Sequence, residues 1–352
     1  MVFLPIINLD KMNNYYSKHI NIWLISLATI ILIMIAVGGL TRLTESGLSM
    51  VDWDPIMGII PPLSQTDWNY LFSQYQLFPE YQIKNLGMTL NEFKFIFWWE
   101  YGHRVLGRFI GILFIIPFVF FFLKKCFSKK DLYSYLFLLI LGGMQGLIGW
   151  WMVKSGLDLN PYVSHFRLAV HLLIAQIILS FIVFLFLKRV TSQGYEKVGI
   201  SHSSLFLIFS CSIFITVTYG AFMAGLDAGQ SFNTWPKMGQ SFFPEGLFFV
   251  EEKYMGIFEN SIFIHFFHRS LAYLCVAIIL IISILHFKKI KYVAQKIHFI
   301  LIIILVIIQV IIGIYVVLSN VQISIGSIHQ IVGSLLFALT FSYFLLLQRR
   351  KI

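Results

Sequence analysis

Charge is scarce in this sequence. Only 12% of its 352 residues are Asp, Glu, Lys or Arg, and just 16 are acidic. A soluble domain carries about a quarter charged residues, so a water-facing globule is excluded. Cysteine is nearly missing: Cys126, Cys211 and Cys275 stand alone, with no CxxC pair, which removes a disulfide framework and a thiolate zinc site from consideration. There is no Arg- and Ser-rich, acid-poor presequence of the mitochondrial kind. The first apolar run is long enough to span and has no small-residue cleavage site, so it is expected to stay as a helix rather than leave as a signal. A bacterial inner membrane is the expected location.

What is present is hydrocarbon. Hydrophobic residues make up 58% of the chain, with a mean hydropathy of +0.82. About 20 apolar residues cross a bilayer as a helix, because backbone amides there must pair within their own segment. Eight stretches qualify, near residues 20–40, 95–123, 132–153, 165–187, 204–225, 260–287, 297–318 and 325–347. With the N-terminus inside, the inner segments 1–19, 124–131, 188–203, 288–298 and 348–352 hold 16 Lys and Arg against Asp10, Asp131 and Glu196. That bias predicts cytoplasmic termini. It also accounts for the net charge of +10 through contact with anionic lipid, with no call for nucleic acid.

The chain reads as a duplicated half. GGLTRLTESGLSMVDWDPIMG (Gly38 to Gly58) aligns with GAFMAGLDAGQSFNTWPKMG (Gly220 to Gly239) with one inserted residue. The alignment matches Glu45 to Asp227, Gly47 to Gly229, Trp53 to Trp235, Pro55 to Pro236 and Met57-Gly58 to Met238-Gly239. WWEYGHR (Trp98 to Arg104) resembles FIHFFHR (Phe263 to Arg269), and QGLIG (Gln145 to Gly149) resembles QVIIG (Gln309 to Gly313). The expected fold is an all-α integral membrane protein, eight transmembrane helices forming two pseudo-symmetric four-helix bundles. Residues 1–19 form an inner N-terminal segment, 20–190 the first bundle, 191–203 an inner linker and 204–352 the second bundle. The outer loops 41–94 and 226–259 are rich in Gly, Pro and Trp, as suits caps at the membrane interface.

The repeat puts four histidines in register: His103, His171, His268 and His329, on the second, fourth, sixth and eighth spans. Each falls within the first turns from the outer face. A lone intramembrane histidine is commonly an interhelical hydrogen bond; four at equivalent positions point to ligation. Each half supplies one imidazole from each of two helices. That suits the two axial positions of a haem iron better than a tetrahedral zinc, which takes three or four converging ligands. Trp98, Trp99, Tyr101, Gly102 and Gly107, with Phe266, Phe267 and Tyr273 in the second half, suit a flat apolar macrocycle. Arg104 and Arg269 directly follow two of the histidines. They either pair with haem propionates or anchor their helices by snorkelling to the interface.

The halves differ at one position. Glu100 lies one turn before His103, where the second half has His265. A carboxylate beside a macrocycle can take up or relay protons; its plainer role is to complement a helix N-terminus. The asymmetry makes the first half the expected reaction site and the second the seat of a resident redox cofactor. His165 reads as an interfacial residue rather than a third ligand, and Arg167 as a candidate propionate partner. His19, His202, His286 and His298 are expected to sit solvated at inner helix ends.

Taken together, GGLTRLTESGLS, WDPIMGIIPP, WWEYGHRVLGR, GGMQGLIGWWMV, HFRLAVHLL, WPKMG, FFHRSLAYL and IHQIVGSLL resemble the haem A synthases of alphaproteobacteria and mitochondria over nearly the whole chain. The resemblance implies an oxidoreductase that acts on a CH or CH2 group. It would convert a methyl substituent of haem O to a formyl group by successive hydroxylations, with water as oxygen source, to make haem A for cytochrome oxidase. Carried over, His103 and His171 flank the substrate or product haem, Glu100 is the catalytic carboxylate, and His268 and His329 ligate haem b. The implied partners are haem O, membrane lipid, haem O synthase, cytochrome oxidase assembly factors and a second copy of the chain. Some bacterial relatives carry an outer-loop cysteine pair; neither 41–94 nor 226–259 contains cysteine, which excludes a thiol-disulfide role there. The alternatives are a di-haem membrane cytochrome b that only transfers electrons, and a haem carrier or oxidase-assembly scaffold.

Overall fold

A computed structural model describes residues 9–51, 57–157, 161–191, 195, 200–247 and 256–348. Eight helices are long and apolar enough to cross a membrane, making this a multi-pass, all-α membrane protein. Among the described residues, extended structure is limited to a single bridge between Met238 and Ser241. The first half contains α1 (Leu9–Leu43), a short α2 (Gln65–Tyr75), α3 (Leu90–Leu123), α4 (Lys129–Lys154) and α5 (His165–Val190). The second contains α6 (Ile200–Gly225), a one-turn α7 (Gly256–Glu259), α8 (Ser261–His286), α9 (Val293–Leu318) and α10 (Ile323–Leu347). Each expected span is matched by one of the eight long helices. Trp53 and Pro55 of the repeat, most of the 191–203 linker and the side chain of His202 lie outside the described residues.

Helix pairing in the second half repeats that of the first. α1 packs on α3 and α5, and α4 on α5; correspondingly, α6 packs on α8 and α10, and α9 on α10. The α3–α4 and α8–α9 contacts are narrow in both halves, leaving a slot between those helices. The halves meet through α5 against α10 and α6, and α1 against α10. Polar side chains bridge this seam: Gln176 donates to Ser334 Oγ (2.6 Å) and Gln330 donates to the Ile35 carbonyl (3.3 Å). The repeat also reaches the backbone, since Glu45 and Asp227 both take left-handed φ values of 52° and 51°.

Two local devices set the site. At 34 residues, α3 is about 50 Å long at ~1.5 Å per residue, against a hydrocarbon core of about 30 Å. Its first turns therefore stand clear of the membrane and carry a cap. Thr89 opens the helix with a reciprocal capping box to Glu92, and Ser64 opens α2 in the same way with Asp67, satisfying the free amides of each first turn. Trp68 and Tyr75 of the cap bury against Phe93, Ile96 and Phe97 of α3. Deeper in the membrane, Pro117 interrupts α3. Proline has no N–H to offer the carbonyl four residues back, and the Trp23 indole of α1 donates to that Leu113 carbonyl instead (3.0 Å).

Candidate haem and carboxylate site

The four histidines occupy matching places. His171, His268 and His329 are the seventh, eighth and seventh residues of α5, α8 and α10, each entering from the cap face. His103 is the fourteenth residue of α3, whose extra turns belong to the cap. All four rings are half-buried, and each lies on a glycine of the helix paired with its own. His103 packs on Gly38 of α1, His171 on Gly149 of α4, His268 on Gly220 of α6 and His329 on Gly313 of α9. A methyl group at these glycines would stand 3.0, 3.1, 3.3 and 2.9 Å from the imidazole Cε1. Glycine is thus what lets the rings lie flat against the neighbouring backbone. All four glycines stand in the repeat motifs, but their use depends on contacts between helices.

In the second half the two rings face one another, with centroids 6.4 Å apart and planes at 66°. An iron held between two imidazoles at a metal–nitrogen distance of about 2 Å puts the ring centroids roughly 6–7 Å apart, so this pair has the spacing of axial haem ligands. His268 Nδ1 pairs with the Thr216 carbonyl (3.0 Å), the kind of second contact that fixes a ligand's tautomer and aims its other nitrogen. His329 Nδ1 is buried without a partner, while its Nε2 lies 3.3 Å from the Gln309 amide nitrogen. In the first half, His103 and His171 lie within electrostatic reach of each other, and the Nδ1 of each is buried and unpartnered. Among the described residues no group of three or more His, Cys, Asp or Glu side chains converges. The donor set is two pairs of imidazoles, which fits a porphyrin iron and not a tetrahedral ion.

Glu100 is 3% exposed and densely bound. It accepts from Ser49 Oγ (2.7 Å) and the Met50 amide (2.8 Å), and pairs with Arg104 one turn further on (2.5 Å). Arg104 also donates to the Met50 carbonyl (2.9 Å). The carboxylate one turn before His103 is therefore the clasp of the loop that follows α1. In the second half, buried His265 takes the place of Glu100, and Arg269 donates to the Thr234 (3.1 Å) and Pro236 (3.0 Å) carbonyls. Both arginines thus pin a loop backbone over their histidine. Arg167 donates to the Trp151 carbonyl (2.7 Å) and lies over the Trp151 ring. His165 packs on Phe166 and Phe222, away from the ligand pairs.

A family model described as Cytochrome oxidase assembly protein, COX15-CtaA, matches residues 21–341. The chain belongs to the COX15-CtaA family. Among its relatives, the heme A synthase of Pelagibacter ubique is 41% identical over 96% of this chain and 98% of its own length. That of Parvibaculum lavamentivorans is 39% identical over 94% of each, and that of Nitrosospira multiformis 40% identical over 91% of each.

For this COX15-CtaA member, one expectation needs correcting and one residue needs adding. His286 and His298 are not solvated but 1% and 5% exposed. His286 Nε2 pairs with the Tyr343 hydroxyl (2.8 Å); His298 is held by the Tyr195 hydroxyl (2.5 Å) and the Leu339 carbonyl (3.0 Å). The reason is helical phase. His298 shares a face with Gln295, Phe299, Ile302 and Val306, which are also buried, but α9 is apolar on all sides and its sequence does not show which side packs. The second point is a residue the motifs passed over. Glu80, in the cap, is 4% exposed, and a buried acid in a polar loop follows no hydrophobic period that would reveal it.

Proposed function

We propose that the chain is a haem A synthase, an oxidoreductase converting a methyl substituent of haem O to the formyl group of haem A. The observation that carries this reading is the inequality of two otherwise matching histidine pairs: only His103 and His171 have a buried carboxylate, Glu100, one turn from a ligand. Relatives covering almost the whole chain bear the name heme A synthase, which supports it.

The balance of the reaction shows what the residues must do. Taking a methyl group to an aldehyde with one net water releases four electrons and four protons. In this reading His103 and His171 hold the substrate haem and Glu100 accepts protons beside it, where general acid–base groups contribute about 10²–10⁴-fold. His268 and His329 hold a resident haem b, which supplies an electron-accepting centre when bound. Arg104 and Arg269 hold the loop backbones beside the two sites and would supply the positive charge for haem propionates.

The helix surfaces support the same division. Gly102 and Gly111 on α3 and Gly142, Gly143 and Gly146 on α4 meet nothing within 4 Å of where a Cβ would stand. Their register counterparts in the second half are Phe267, Val276, Val306, Ile307 and Val310. Open surface on α3 and α4 suits a prenylated substrate that comes and goes through the bilayer. This reading takes the halves as a duplication, the cap as the outer face, and a bacterial inner membrane with cytoplasmic termini as the setting. A haem O-forming enzyme would act before it and a haem A-requiring oxidase after it.

The test is co-expression with a haem O synthase followed by chromatography of the extracted haems. Formyl-bearing haem A is the expected product; unaltered haem O beside haem b would make the protein an electron carrier or a haem scaffold. Glu100→Gln should lower haem A formation by about 10²-fold or more with the haem b spectrum intact. His268→Ala should remove that spectrum.

A further inference from the structure

The cap contains a second buried carboxylate that the reaction as described does not use. Glu80 stands in the short turn Glu80–Lys84. The Tyr75 hydroxyl donates to it (3.0 Å) and Asn85 Nδ2 donates to that hydroxyl in turn (2.7 Å). Tyr75 is fully buried. Four charged or titratable groups face Glu80: Tyr75 from α2, Lys84 from its own turn, Glu45 from the end of α1 and Glu100 from α3. Tyr75 is also within electrostatic reach of Glu100. Beyond them, Lys84 Nζ pairs with Glu45 (2.8 Å), whose side chain is 44% exposed. Glu80 and its hydrogen-bonded Tyr75 thus lie within electrostatic reach of the buried Glu100 on one side, and Glu80 within reach of the Glu45–Lys84 pair on the other.

We propose that Glu80, linked through Tyr75, is the positioning and relay group by which protons released at Glu100 reach the solution on the cap face. This rests on the haem A synthase reading, since only a reaction that liberates protons there needs the route. Each transfer balances: Glu100 gives up a proton to water in the gap before Tyr75, Tyr75 takes one from that water while passing its own to Glu80, and Glu80 releases one to water beside Glu45 and Lys84. All three groups return to their starting state, and no electron moves along this path. Burial raises the Glu80 carboxyl to about 7, so it can both hold and release a proton near neutrality, whereas burial pushes Tyr75 upward and keeps it a neutral hydroxyl.

The experiment measures initial rates of haem A formation between pH 6 and 8.5 in membranes holding the full chain and a haem O synthase. The wild type should speed up as pH rises through about 7. Glu80→Gln keeps an acceptor for Tyr75 but cannot take a proton; it should run about tenfold slower, less than a group acting at the reacting bond itself. Its rise near pH 7 should be lost, with the haem b spectrum unchanged, and Glu80→Asp should restore at least half the rate. Tyr75→Phe breaks the link while leaving both carboxylates in the chain and should also slow turnover, with a larger solvent deuterium isotope effect. Glu80→Gln or Tyr75→Phe running within twofold of wild type with the wild-type pH profile overturns the inference while leaving the synthase reading intact. Wild-type membranes that form no haem A overturn both.

Discussion

Histidine and glutamate are rare enough inside a membrane that their positions carry meaning from sequence alone. His103, His171, His268, His329 and Glu100 were legible because each interrupts an apolar span and four of them recur in register. Their partners were not legible to the same degree. Gly38, Gly149, Gly220 and Gly313 stand inside the repeated motifs, yet their use appears only when a second helix lays an imidazole across them. Trp23 is a case where the physics is local and testable. Its indole N–H meets the one carbonyl that Pro117 leaves without a helical donor. Trp23→Phe keeps the ring packing against Phe114, Phe121 and Tyr135 but removes the donor, at an expected cost of about 1–3 kcal/mol for an unpaired buried polar group. Thermal unfolding of the purified protein in detergent should show a lower midpoint, while Trp23→Phe with Pro117→Ala should recover much of it, because alanine returns the helical N–H. A double variant no more stable than Trp23→Phe would disprove this account of the Leu113 carbonyl.

At the scale of elements, the outer loop 41–94 was readable as a cap from its tryptophans and prolines, but the helix inside it was not. Gln65–Tyr75 is polar along most of its length, and its buried residues Trp68 and Tyr75 find their partners on α3 rather than within the loop. Glu80 makes the closure of this element depend on pH. Its carboxyl ordinarily titrates near 4.5 and is raised by burial to about 7 in the closed cap. Between those values the closed form binds more protons than an opened one, so raising the pH weakens closure. Amide exchange in residues 65–85, corrected for its intrinsic pH dependence, should therefore show less protection at pH 8 than at pH 5.5. Glu80→Gln should flatten that difference. Equal protection in the wild type at both pH values would mean that the carboxyl is not buried in the resting cap.

For the whole molecule, the apolar runs forecast eight spans, and the pairing of α1, α3, α4 and α5 reappears in α6, α8, α9 and α10. Sequence symmetry says where two halves are alike; the proposed division of labour between them rests on where they differ. That difference was only half readable, because Glu100 against His265 stands out as a change of charge, whereas Gly142 against Val306 or Gly146 against Val310 passes as ordinary apolar variation. On α4, Gly142, Gly146 and Gly149 fall on one helix face, so the open surface runs directly inward from the His171 contact. Replacing Gly142 and Gly146 together with valine, the residue at both matching positions of α9, should narrow the first slot. The purified variant should retain its full haem b signal and thermal stability, since a Cβ at either position meets nothing within 4 Å, while the haem O and haem A that co-purify with it fall several-fold. Unchanged occupancy would show that substrate does not enter between α3 and α4. A loss of haem b with it would mean that the two halves are not separate compartments, and that the asymmetry lies in Glu100 alone.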